Sequence, residues 1–373
     1  SAMRTGRLLA SPVEMSYPSF SHREQVTIWL SALQGSMPRE EATWVARNFS
    51  SNYQMPTGSI FLAVSQAHEE QEALGITANL QSHHLLEQIR KSFDHNLGVL
   101  ADVVVVETRV ADVVMPDRVK RQVHEVLHYA RHARTVFDDW GFRKRSPHGN
   151  ALSVLLSGPP GTGKTFLAGA LANELGKVLY KVDLSRVVDK YIGETEKNLG
   201  RIFDEASKAQ AVLLFDEADS LFAKRTQVKS SNDRYANLEV NYLLQRLESY
   251  NGVSLLTTNF EKGIDEAFQR RIRFTINFPM PERAERARLW KHLIPPNAPL
   301  EDDIDWTVLG ESFEMSGGHI RNATLRAAVR CAARNRCITM NALLRAGVDE
   351  MREMGSLVRL GFEIPDEDDE SKL

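Results

Sequence analysis

The chain has 373 residues, 42% of them hydrophobic, which is enough for more than one compact unit with its own core. A formal net charge of -3 removes any global electrostatic case for a nucleic-acid partner, and no stretch approaches the roughly 20 apolar residues of a membrane helix. The two cysteines, Cys331 and Cys337, fall in a stretch that reads as one helix and face different sides of it, so reduced thiols and a cytoplasmic location are expected.

Residues 1–80 read as helical and contain one half of a repeat. Tyr17-Pro18, Trp29 and Gln54-Met-Pro-Thr-Gly-Ser-Ile60 recur as Phe278-Pro279, Trp290 and Glu314-Met-Ser-Gly-Gly-His-Ile320, at a nearly constant interval of about 260 residues. The front segment is therefore expected to be a second, degenerate copy of the helical region near the C-terminus. Since no α/β region stands before it, a further module upstream is expected. Residues 81–110 read as a linker, with a helix over Gln81–Asn96 and an extended segment at Val103–Val106. Arg118–Phe137 is a further helix, and Trp140-Gly-Phe142 after it is expected to be packing.

From residue 111 to 281 the pattern becomes α/β. Short apolar runs at Ser153–Ser157, Val178–Asp183, Ala211–Phe215, Val253–Thr257 and Phe274–Phe278 read as strands. They alternate with helical stretches at Lys164–Leu175, Glu196–Ala209 and Leu238–Glu248. That alternation predicts a three-layer fold, with a parallel sheet covered on both faces. Residues 282–362 then read as a small helical domain, with helices at Glu282–Leu293 and Gly318–Cys337. The acidic run 363–373 reads as a disordered tail. Its last residues, Ser371-Lys-Leu373, would be a peroxisomal address only in a eukaryote.

Chemistry concentrates at the strand ends. Gly158-Pro-Pro-Gly-Thr-Gly-Lys-Thr165 follows an apolar strand and opens a helix, the setting a phosphate-binding loop requires. Gly158, Pro160, Gly161, Thr162 and Gly163 are expected to wrap backbone N–H groups around phosphate oxygens, helped by the helix dipole, with Phe166 just beyond. Lys164 should reach the β- and γ-phosphates, and the Thr165 hydroxyl should ligate Mg2+. Val212-Leu-Leu-Phe-Asp-Glu217 ends a strand in two acids. Asp216 is the candidate metal carboxylate, and Glu217 the candidate base for the attacking water. Asn259 ends the next strand and can hydrogen-bond the γ-phosphate or that water. Arg270 and Arg271 carry guanidinium forks suited to phosphate, but stand too far along the sheet to serve their own site, which points to action in trans within a ring.

These motifs, together with Tyr191-Ile-Gly-Glu-Thr-Glu-Lys-Asn-Leu199 and the paired arginines before Phe278-Pro-Met-Pro281, occur in the order found in the AAA family. Over about Ala111–Glu350 the chain resembles AAA+ ATPases of the narrow AAA clade. The resemblance implies a P-loop NTPase fold with a C-terminal helical lid, ATP and Mg2+ as cofactors, and a homo-hexameric ring with arginine fingers in trans. It implies that Tyr191, Ile192 and Gly193 form a pore loop gripping extended polypeptide. It also implies an adenine contact from Asp112-Val113 and nucleotide contacts from the lid at Gly318 and at His319 or Arg321, the other reading being that Arg321 only covers its helix. Two departures stand out. The arginines lie closer together, in Gln269-Arg-Arg-Ile-Arg273, than is usual, and Gly318-His319 replaces a small residue followed by an acid. In the front copy Ser59 and Phe61 stand in the lid positions. Several motifs resemble most closely bacterial AAA proteins encoded beside contractile injection systems.

The function expected on this basis is an ATP-dependent protein-remodelling motor that threads or disassembles protein substrates through a ring pore. A nucleic-acid motor or loader, or a nucleotide-gated assembly scaffold, is the alternative. The partners expected are other copies of the chain and a protein substrate or adaptor, with no membrane. The aromatic pore loop and the absence of a strongly basic region argue against nucleic acid. No His-Glu-x-x-His motif is present, which argues against a zinc protease fused within this sequence.

Overall fold

The computed structural model describes residues 20, 22–52, 55–75, 79–97, 100–104, 108–145, 151–187, 194–219, 231–259 and 270–356. The chain forms two compact units, Ser1–Ser92 and Phe93–Leu373.

The first unit is helical, with α1 (His22–Ala32), α2 (Arg39–Asn52), α3 (Thr57–Ala73) and the start of α4 (Ser82–Leu97). Apolar residues at helical spacing turn one face of each helix inward: Trp29 and Leu33, Val45 and Phe49, Ile60 and Val64, Leu85 and Ile89 are all buried. Trp29 meets Phe49 edge-on at 5.2 Å. Gln25 Nε2 donates to the Met55 carbonyl at 3.2 Å, fastening α1 to the approach of α3.

The second unit is built on a six-stranded sheet, ordered β1-β3-β4-β5-β2-β6. The strands are β1 (Ala101–Val104), β2 (Leu152–Ser157), β3 (Leu179–Val182), β4 (Val212–Phe215), β5 (Val253–Thr258) and β6 (Phe274–Asn277). β2 to β6 are mutually parallel, as their helical crossovers require. β1 adds an antiparallel edge beside β3, with Val103 opposite Tyr180. The extended segment expected in the linker is thus a strand of this sheet. An isolated run of β-branched residues shows strand propensity but does not reveal its partner.

Helices cover both faces. α5 (Asp117–Arg134) and α6 (Lys164–Glu174) pack against one face with Val123, Val126, Leu167 and Leu171, meeting Val154, Leu156, Val212, Leu214 and Leu255 of the sheet. A one-turn α7 (Leu184–Val187) precedes α8 (Glu194–Ala209) and α9 (Ser231–Ser249). On the other face Phe203 of α8 lies 5.9 Å from Phe215 and 5.6 Å from Tyr250. Val212 and Leu214 on one side and Phe215 on the other reflect the two-residue alternation of a strand buried between two layers.

Beyond β6 the chain is helical: α10 (Arg283–His292), α11 (Trp306–Ser312), α12 (Gly317–Ala333) and α13 (Met340–Glu353) enclose a core of Trp290, Leu309, Phe313, Met315, Ile320 and Leu343. Asp305 caps α11 through the Thr307 and Val308 N–H groups, and Thr339 caps α13 through that of Ala342. α12 is shorter than the stretch expected from sequence. It ends at Ala333, and the chain reverses through Asn335 in the left-handed region at φ 51°, a conformation asparagine tolerates. Cys331 is therefore buried in the helix, while Cys337 is exposed beyond it, and both are free thiols.

Residues that recur in the sequence are buried in both units. Trp29, Met55 and Ile60 are buried in the first, and Trp290, Met315 and Ile320 in the second. α3 and α12, each entered just after its methionine, are both 17 residues long. One packing expectation fails. Trp140 and Phe142 are 68% and 52% exposed, and the inward place is taken by Phe137, whose ring meets Tyr129 at 6.2 Å. Among the described residues no helix is long and apolar enough to cross a membrane.

Candidate nucleotide site

The loop between β2 and α6 folds as it does because glycine occupies its tightest points. Gly158 adopts φ 136°, and a Cβ there would lie 2.0 Å from the Phe278 carbonyl oxygen. Gly161, at φ 73°, would push a Cβ to 2.4 Å from Ser316 Oγ. The loop is thus pressed between the end of β6 and the start of α12, where the Gly318 N–H donates to the Gly161 carbonyl at 2.8 Å. The expected result for Gly158→Ala is a loss of about 2 kcal/mol or more of stability, from strain and a backbone clash together, with nucleotide affinity lost alongside. Thermal denaturation and ADP titration would show it.

Lys164 opens α6 and is buried. Its ammonium donates to the Gly158 carbonyl at 2.7 Å, the Pro159 carbonyl at 2.8 Å and Asn259 Oδ1 at 3.0 Å. Burial lowers its pKa, opposed by the charges of Asp219, Asp216 and Glu217. Asn259 does not choose its own orientation. Asp219 accepts from its backbone N–H at 2.9 Å and from Nδ2 at 3.2 Å. A carboxylate only accepts, so the amide nitrogen faces Asp219 and the oxygen is left toward Lys164.

Asp216 follows β4. Its Oδ1 accepts the Thr165 hydroxyl at 2.9 Å and the Thr257 hydroxyl at 2.7 Å, while Oδ2 pairs with Lys181 Nζ at 2.7 Å. Burial would raise this carboxyl, but the bonds from Lys181, Thr257 and Thr165 outweigh it and hold the pKa below its ordinary value. Glu217 is exposed and sits at φ 51°, in the left-handed region that non-glycine residues seldom enter. Thr257 Oγ1 anchors it by accepting the Glu217 N–H at 2.9 Å, and the Thr257 carbonyl accepts the Ala218 N–H at 2.9 Å. One threonine at the end of β5 thereby sets both neighbouring acids.

These groups line a cleft of about 360 Å³, a volume suited to a small ligand. One side is the loop Pro160–Phe166 with Asp216, Glu217, Thr257 and Asn259. The other is more apolar, lined by Val113 and Val114, by Leu289 of α10 and by Leu293 just beyond that helix. Asp112 lines it as well, and its carboxylate accepts the Arg109 N–H at 2.9 Å, closing the turn that leads to Val113. A polar glycine-rich end joined to an apolar slot fits a nucleotide, with phosphates at the loop and base between the turn and α10. The hydroxyl and carboxylate of Thr165 and Asp216 are hard oxygen donors of the kind Mg2+ takes.

The lid supplies Gly317, Gly318 and Arg321 to the cleft. His319 is not among its lining residues. Its Nδ1 lies 2.8 Å from Glu350 Oε1, so it joins α12 to α13, and Arg321 is the polar side chain of this helix at the site. Arg270 and Arg271 do not line the cleft either. Arg270 is exposed, and Arg271 Nε pairs with Glu248 Oε1 of α9 at 2.9 Å. Ser153 holds their turn against β2 by donating to the Arg271 carbonyl at 2.9 Å and accepting the Arg273 N–H at 3.1 Å. Tyr191, Ile192 and Gly193 lie outside the described residues. Sequence reasoning missed Thr257, Asp219, Lys181, Leu289 and His292. Lys181 left a faint signal as the one charged residue in an apolar strand, and Asp219 another as a third acid close behind Asp216.

A phosphate loop at the end of a parallel strand, flanked by strand-end acids and closed over by helices, defines a P-loop nucleotide-binding domain. Residues 154–281 match the model of the ATPase family associated with various cellular activities (AAA). The chain is 30% identical over 242 residues to the mitochondrial inner membrane i-AAA protease supercomplex subunit YME1 of Saccharomyces cerevisiae, covering 63% of this chain and 31% of that protein. It is 36% identical over 183 residues to the katanin p60 ATPase-containing subunit A1 of Strongylocentrotus purpuratus, covering 45% and 35%. It is 30% identical over 256 residues to the ATP-dependent zinc metalloprotease FtsH 3 of Sphaerobacter thermophilus, covering 66% and 50%. Residues 154–281 are therefore an AAA ATPase domain. The chain spans from about a third to half the length of these three relatives.

Proposed function

We propose that this chain hydrolyses ATP to ADP and phosphate at the cleft between the sheet and the lid, and uses the cycle to remodel protein substrates within a ring of identical subunits. The observation that carries this reading is the opening of two hydrogen-bonded sets on one cleft. Lys164, Asn259 and Asp219 form one hydrogen-bonded set, and Thr165, Asp216, Thr257 and Glu217 another, both opening on the same cleft.

In this reading Lys164 leaves the Gly158 and Pro159 carbonyls for the β- and γ-phosphates. Thr165 and Asp216 would hold Mg2+. A bound Mg2+ would supply charge neutralisation between the phosphates. Glu217 takes the proton of the attacking water, and Asn259, presenting its amide oxygen, orients that water. Val113, Val114 and Leu289 hold the base, and Arg321 senses the phosphates from the lid. Arg270 and Arg271 act on a neighbouring subunit's nucleotide, since neither reaches the cleft of its own chain. Tyr191, Ile192 and Gly193 grip polypeptide in the pore. Residues 1–80 serve as a degenerate lid copy, 81–110 join it to the large domain at 111–281, and 282–362 form the lid proper. Two of the relatives are named as proteases or protease subunits, which favours polypeptide over nucleic acid as the substrate.

The test is ATP turnover with an unfolded polypeptide or with DNA added. Stimulation by the polypeptide alone is the expected outcome. Stimulation by DNA alone would turn the reading to a nucleic-acid motor, and bound ATP that does not turn over under any condition would turn it to a nucleotide-gated scaffold.

A further inference from the structure

The ion pair between Lys181 and Asp216 plays no part in the roles above, and its position is unusual. β3 is otherwise apolar, and Leu179, Tyr180 and Val182 are buried. Lys181 stands opposite Leu214 of β4 on one side and Asp102 of β1 on the other. It bypasses Asp102, whose carboxylate lies 3.6 Å from Arg186, and reaches the end of β4 to place Nζ 2.7 Å from Asp216 Oδ2. Asp216 is the more enclosed partner, with 13% of its side chain exposed against 42% for Lys181.

The acceptor inventory of Asp216 makes this pair consequential. Oδ1 is committed to the hydroxyls of Thr165 and Thr257. The Thr165 hydroxyl can keep donating to Oδ1 while its lone pair turns to a cation. Oδ2 is the oxygen left for a cation, and Lys181 holds it. An ammonium and a divalent cation compete for one carboxylate and repel one another across it. The four-carbon stem of a half-exposed lysine allows the ammonium to withdraw.

We propose that Lys181 is an internal counter-ion that occupies the metal-facing oxygen of Asp216 and thereby weakens Mg2+ binding, easing release of the metal with spent nucleotide. The proposal rests on the reading of Thr165 and Asp216 as the metal residues. It separates Lys181 from Lys164: Lys164 lines the cleft and addresses phosphate, whereas Lys181 stands behind the carboxylate and addresses the metal's place.

The test measures ADP affinity of the full chain by calorimetry, in Mg2+ and in EDTA, for the wild type, Lys181→Met and Lys181→Arg. The dissociation constant in EDTA divided by that in Mg2+ reports the metal's contribution and cancels any general weakening of the pocket. Lys181→Met is expected to increase that ratio about three- to fivefold, the range for a partly exposed charge pair. Lys181→Arg, which keeps the charge, is expected to stay near wild type. An unchanged or smaller ratio in Lys181→Met, with the wild type still responding to Mg2+, overturns the inference and leaves the metal site standing. A wild type indifferent to Mg2+ overturns both. Should Lys181→Met not fold, Lys181→Gln carries the same expectation.

Discussion

Replacing Glu217 by glutamine is expected to lower ATP turnover by about a hundred- to ten-thousand-fold, the usual contribution of a general base, while ATP binding changes by less than about twofold. The two effects separate because position and chemistry have different sources at this residue. The position comes from the backbone: the left-handed turn at φ 51° and the bond from its N–H to Thr257 involve no side-chain atom of Glu217. Glutamine preserves both and nearly the same shape, but its amide cannot accept the proton of the attacking water. The carboxylate lines the cleft at the loop end without contributing to the apolar slot, so base and phosphate contacts remain. Single-turnover hydrolysis beside equilibrium binding of ATP is the measurement. A variant that retains turnover would show that another group activates the water.

The second large effect is expected from Arg270→Ala combined with Arg271→Ala. Turnover should fall about a thousandfold, the lower end of what an arginine finger contributes. ADP affinity of the isolated chain should be unchanged, because neither arginine lines its cleft. The structural cost at Arg271 is small. The half-exposed Arg271–Glu248 pair is of a kind that stabilises a fold by at most about 1 kcal/mol, and the turn is held by Ser153 through backbone groups. Melting temperature should therefore move little. The decisive experiment mixes this variant with Glu217→Gln. In a ring with fingers in trans, some interfaces of the mixture join an intact Glu217 to an intact arginine pair, and activity returns. If the arginines act within their own chain, no subunit of the mixture is complete and activity stays low. Turnover per chain that is independent of protein concentration would argue against the ring itself.

Much of the site was legible because its groups are local in sequence. The loop at Gly158–Thr165 carries its conformation in consecutive residues: glycines where φ is positive or a Cβ has no room, then a lysine and a hydroxyl on the first turn of a helix. The acids after β4 and the asparagine after β5 stand at the ends of apolar runs of strand length, and parallel strands with helical crossovers bring such ends to one edge. The parallel sheet and the succeeding helical region follow from the same periodicities. The Trp, Met and Ile residues that recur in the sequence are all buried.

What only the tertiary structure decided concerns partners distant in the chain. A run of valines could not announce that it pairs antiparallel with β3. Thr257 looked like one strand residue among several, and its double bond to Asp216 and Glu217 exists only because β5 lies beside β4. Lys181 and Asp219 gained their roles from side chains 35 and 40 residues away. The lid shows the limit most plainly. His319 and Arg321 stand two residues apart near the start of α12, and two positions on a helix differ by about 200° in direction. Only one of them can face a given cleft. The amino-acid pattern by itself determined that a charged residue here could meet the nucleotide. The packing of α12 against α13 draws His319 to Glu350, and it is Arg321 that lines the cleft.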